Sequence, residues 1–170
     1  MMDQATKSIL WRQFGGAIDM LANAVKMCPE SLWGDRKRNP EYWYLVYHTL
    51  FFLDYYLSES AAGFRPPAPY NLDELDPAGI LPDRVYTQEE MLSYLAHGRK
   101  KCKAVIGALT AEEALRHRPF GTIDCPFLEL LFYNMRHVQH STAQLNLILR
   151  QVIDDAPRWV RWAPDELERV

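Results

Sequence analysis

Long hydrophobic runs are missing from this sequence. The longest uncharged stretch of its second helical segment, Tyr42 to Leu53, is too short to span a bilayer. Near the N-terminus, Arg12 and Gln13 interrupt the apolar residues before they reach the length of a cleavable leader. Cysteine is scarce as well. Cys28, Cys102 and Cys125 are scattered and lack CxxC spacing, which argues against a disulfide framework and a cysteine-only zinc site. No GxGxxG or Walker pattern is present, so a glycine-rich phosphate cradle is excluded. Nor is there an excess of positive charge. Nineteen basic residues stand against 22 acidic ones, a formal charge of −3, whereas covering nucleic-acid phosphates needs a strong basic field. The local cluster Arg99, Lys100, Lys101 and Lys103 reads as a solvated helix face. These absences together predict a cytoplasmic protein with neither a membrane nor a nucleic acid as partner.

What is present fits one globular domain. At 170 residues, 48% of them hydrophobic, the chain can bury a core without covalent staples. Apolar periodicity predicts four long helices. The first runs from about Gln4 to Lys26 and ends at Cys28-Pro29; its Gly15-Gly16 pair points to close packing or a bend. The second starts near Pro40 and continues to about Ser58, with Tyr44, Leu45, His48, Phe51, Phe52 and Tyr55 along one side. The third opens on the capping box Thr87-Gln88-Glu89-Glu90 and reaches about Leu109. The fourth runs from Asp124-Cys125-Pro126 to about Ile153. A second capping box, Thr110 to Glu113, predicts a short helical turn before it. No strand-like alternation and no repeat is evident. The segment from Ala61 to Val85 holds Pro66, Pro67, Pro69, Pro77 and Pro82 and is long for a connection. It is long enough to traverse a bundle. The expected fold is therefore all-α: a four-helix bundle in up-down-down-up order, with a crossover between helices two and three. Residues 1–153 would form the bundle. Residues 154–170, with Trp159 and Trp162, would form a tail packing on the bundle or on a partner subunit.

The fourth helix carries the most informative residues. Asn134, His137, Ser141 and Gln144 recur at spacings of three and four and share one stripe, flanked by Leu130, Val138, Leu145 and Ile148. Polar groups on a core-facing stripe must satisfy one another, line a wet pocket or hold a metal, because an unpaired buried polar atom costs roughly 1–3 kcal/mol. His140 points about 60° away from His137 and lies one turn before Gln144. On the second helix, His48 sits among apolar residues, either as a hydrogen-bonded core residue or as a ligand. His97 and His117 read as solvated. Cys102 reads as a small core residue. Cys125, at an expected helix start, is where a thiol pKa could be lowered.

The stretch Arg136-His137-Val138-Gln139-His140-Ser141-Thr142-Ala143-Gln144-Leu145 resembles the fourth-helix motif of the DinB-like (YfiT-like) superfamily. That motif is a histidine, a second histidine four residues later, and Gln-Leu after two further residues. His48 with Asp54, Leu32-Trp33, the helix order and the long crossover extend the resemblance over most of the chain. It implies a four-helix bundle, often a homodimer, in which three histidines hold one divalent metal ion, zinc or nickel. By position His48 matches the first ligand and His137 the second, while the third falls on Ser141. A serine hydroxyl is a poor ligand for either metal. His140, or a carboxylate such as Asp54, would have to complete the set, with Asn134 and Gln144 orienting ligand or substrate from behind. Two readings follow. One is a metal-dependent hydrolase, or a transferase or isomerase using a low-molecular-weight thiol. The other is a non-catalytic bundle that binds an unknown small-molecule ligand or a protein through a degenerate metal site.

Overall fold

The computed structural model describes residues 2–167 of the chain, which is mostly helical with one small two-stranded sheet. Helix α1, Gln4–Met27, is started by Asp3, whose side chain accepts the Thr6 amide at 2.9 Å. A four-residue helix α2, Glu30–Trp33, follows. Helix α3 spans Tyr42–Tyr56 and is buried nearly all round, as its almost unbroken apolar and aromatic sequence requires. It begins two residues after Pro40 and ends two before Ser58, so the sequence-based bounds were slightly too wide. Helix α4, Gln88–Ala108, opens on the expected capping box, with Thr87 Oγ1 and Glu90 each accepting the other's amide. Helix α5, Ala111–Leu115, is capped by Thr110. Helix α6 runs from Phe127 to Ile153. The four long helices close on one another: α1 packs along α4 and α6, and α3 packs along the same two.

The absence of strands is corrected. His117–Phe120 (β1) and Ile123–Pro126 (β2) form an antiparallel hairpin, with Phe120 opposite Ile123. The expected start of the fourth helix at Asp124 therefore lies in a strand. Gly121, at φ +61°, supplies the turn that a residue with a Cβ rarely adopts. The buried Phe120 ring anchors the hairpin edge-on against Tyr55 at 4.8 Å. Cys125 is in β2, and its thiol is shifted upward by burial and then by Glu129 and Asp124, opposite to an activated thiol.

Long-range contacts hold the connections in place. In the crossover, Tyr70 stacks on Tyr94 at 4.3 Å and its hydroxyl donates to the Glu90 carbonyl at 2.8 Å. Beyond Ile153 the chain returns across α1. Ala163 N–H donates to the Arg12 carbonyl at 2.8 Å, and Trp11 Nε1 to the Asp165 carbonyl at 2.8 Å. The Gly15-Gly16 pair allows this approach: a Cβ at Gly15 would lie 2.7 Å from that of Ala163. Residue 1 of the expected bundle and residues 168–170 of the expected tail lie outside the described residues.

The basic cluster on α4 is not a freely solvated face. Arg99 bridges Asp19 and Asp165, Lys103 joins Asp165 at 2.6 Å, and Lys101 reaches the buried Asp54. Among the described residues, no helix is long and apolar enough to cross a membrane.

Candidate functional site

Tyr44, His48 and Phe52 recur every four residues and form one stripe along α3. On α6, His137 meets that stripe. Its ring centroid lies 5.3 Å from that of His48 and 5.9 Å from that of Phe52. The structure thus brings together the two histidines that the sequence singled out on separate helices. The His137 imidazole is pushed down to about 4, first by burial and then by its neighbours His48 and His140. It is neutral at ordinary pH, with one nitrogen donating and one accepting. Its Nδ1 is buried and has no hydrogen-bond partner.

A residue outside the expected set completes the α3 side. Asn71 turns the crossover by accepting the Asp73 amide at 3.0 Å, and the 3-10 turn Asp73–Leu75 follows. This turn carries Glu74 inward until its side chain is only 3% exposed. One carboxylate oxygen lies 2.5 Å from His48 Nδ1 and accepts from the Tyr44 hydroxyl at 3.1 Å. The second oxygen is buried without a partner. Burial and Glu74 together raise the Tyr44 hydroxyl to about 12, so it remains a donor.

The other expected site residues are placed less centrally. Ser141 is buried one turn beyond His137. His140 is exposed, and its Nε2 accepts from Gln144 at 2.7 Å, so this pair turns to the surface instead of toward His48. Asn134 is fully buried, and its amide donates at 3.0 Å to the Leu53 carbonyl, one of those left open by the end of α3. It clamps α3 to α6. Asp54 does not approach the histidine pair. It is held by Lys101 at 2.5 Å and by the Tyr94 hydroxyl at 3.2 Å, with His97 at 3.5 Å. His97 therefore has a partner, and so does the exposed His117, 3.2 Å from Asp124.

A groove of about 460 Å³ runs beside His137, lined by Tyr133, Arg136, Gln139, His140 and Ala143. No carboxylate lines it. A roomier groove, about 590 Å³, lies between α1 and α4 but contains none of the histidines. Two of its lysines are engaged, Lys7 by the Gly107 carbonyl and Lys103 by Asp165.

The donor set does not fit a tightly held metal ion. His48 and His137 supply two imidazoles, the Ser141 hydroxyl is a weak third donor, and zinc sites use at least three strong protein ligands. Among the described residues, no three His, Cys, Asp or Glu side chains gather closely enough to hold an ion. What the pair can do is exchange hydrogen bonds with a small molecule, His137 as a neutral ring and His48 as a ring fixed from behind. Compared with protein-family models, curated proteins and solved structures, the chain shows no match to any of the three.

Proposed function

We propose that this chain is a DinB-like four-helix bundle, its long helices in up-down-down-up order, whose histidine groove binds a small polar ligand without a resident catalytic metal. The long crossover between α3 and α4 supports the helix order, since it has the length to return along a bundle. The observation that carries the functional reading is the donor set: two imidazole rings meet edge-on at 5.3 Å, with a buried serine at the position where the family resemblance puts a third histidine. The groove of about 460 Å³ beside the neutral His137 ring supports a ligand, because it gives a small polar molecule room next to that side chain.

One observation favours the second reading, a divalent-metal-dependent hydrolase or thiol-dependent transferase. A carboxylate behind a histidine, as Glu74 is behind His48, is the usual outer support of a metal-bound imidazole. Metal analysis separates the two. The protein would be purified without an affinity tag or added metal and assayed by plasma mass spectrometry. The expected content is far below one zinc or nickel per chain. A content near one, lost in His48→Ala, would sink the first reading in favour of the second.

Homodimerisation belongs to the same family resemblance. An apolar groove bordered by Ile9 on α1 and by Leu128, Phe132 and Met135 on α6 supports it, with Ile9 and Phe132 largely exposed. Sedimentation at micromolar concentration should give twice the chain mass, falling to one in a Phe132→Glu variant. A monomeric native protein would refute the dimer.

A further inference from the structure

Glu74 is neither in the fourth-helix motif nor near His48 in sequence, yet it makes the closest polar contact in the site. An ionised carboxylate is an acceptor only, so the His48 nitrogen beside it must carry a proton. That nitrogen is Nδ1, and a neutral imidazole protonated at Nδ1 has a bare lone pair on Nε2. The Tyr44 hydroxyl donates to the same oxygen at 3.1 Å. The ring is 34% exposed, so ligands can reach it, whereas Glu74 behind it is buried.

We propose that Glu74 is the positioning residue of this site: it fixes His48 in the Nδ1–H tautomer, so the ring offers a ligand the Nε2 lone pair and not an N–H. The site then selects a ligand that presents a hydrogen-bond donor, such as an ammonium, hydroxyl or thiol group, over one that presents only acceptors. This choice of ligand rests on reading the His48–His137 pair as the binding site. The tautomer itself does not.

The test is two-bond proton–nitrogen correlation NMR on protein labelled with 15N-histidine, at about pH 8, above the ordinary imidazole range. Five histidines give five ring patterns, and His48 is identified by the pattern lost in His48→Gln. The native protein should show His48 as the Nδ1–H form alone. Glu74→Gln should retain it, since the amide oxygen still accepts, while Glu74→Ala should give the tautomer mixture of a solvated ring. Should Glu74→Ala fail to fold, Glu74→Asp withdraws the carboxylate by one methylene, keeps the charge and should shift His48 the same way. A native Nε2–H form, a doubly protonated ring, or a tautomer indifferent to Glu74→Ala and Glu74→Asp would overturn the assignment. Titration with ethanolamine by calorimetry tests the binding reading separately. Binding that weakens at least about tenfold in Glu74→Ala supports the ligand choice. A correct tautomer with no heat from ethanolamine would overturn that choice and leave the tautomer standing.

Discussion

Ser141→His is expected to take up close to one zinc or nickel ion per chain, against far less for the native protein. Residue 141 lies one helical turn beyond His137, the i, i+4 spacing that places two side chains on one face of α6. His48 is already in place across from that face, so the substitution would raise the donor set from two imidazoles to three. Structural zinc sites with four ligands are worth roughly 10–16 kcal/mol, or about 3 kcal/mol per ligand, which corresponds to an affinity gain of about 100-fold. Competition against a chelating dye would measure it. Ser141 is 2% exposed, so a larger ring crowds its surroundings at a cost of about 1–3 kcal/mol. The apo variant should therefore melt below the native protein and recover when metal is added. Ser141→Cys avoids most of that crowding and supplies a thiolate, a strong zinc donor. If both variants fold and neither gains metal, position 141 is not the third ligand position, and the resemblance fails at the residue on which it makes its most specific claim.

The helices were legible because they follow apolar periodicity and two of them open on capping-box sequences, at Thr87 and Thr110. The hairpin was not. Its strands are four residues each, too short for alternation to register, and they include Pro119 and Pro126, which ordinarily count against a strand. A signal was present in Gly121-Thr122 between Phe120 and Ile123, a two-residue turn flanked by apolar residues. In the site, His48 and His137 were legible as histidines on apolar helices. Glu74 was not, because a carboxylate in a proline-rich loop looks solvated until the fold brings it to α3. Asn71, spaced to turn the chain at Asp73, is a local hint of order there. Gln144 reads as part of the inner stripe, but in the fold it turns outward and donates to the exposed His140.

Asp54 raises a problem of a different kind, since its partner Lys101 lies in a run that reads as a solvated basic face. Asp54 is 1% exposed, and Lys101 donates to its carboxylate at 2.5 Å, to its carbonyl at 2.9 Å and to Ser58 Oγ at 2.8 Å. Lys101→Met removes all three and leaves a buried carboxylate with the Tyr94 hydroxyl and, at 3.5 Å, His97. Stripping one partner from a buried ion pair costs about 3–5 kcal/mol, far more than the pair gains over an apolar replacement. Asp54→Asn should cost less, about 1–3 kcal/mol, because Lys101 is 27% exposed and its ammonium can turn toward water. The double variant should then be destabilised by less than the two single losses combined, with a coupling of about 1 kcal/mol or more. Urea unfolding of the four proteins at neutral pH would measure the cycle. A Lys101→Met loss under about 1 kcal/mol, with additive singles, would mean that water reaches Asp54 and the pair behaves like a surface one. A loss in the larger range would mean that the α3–α4 contact, and with it the frame holding His48, depends on a charge the sequence hides within a lysine-rich run.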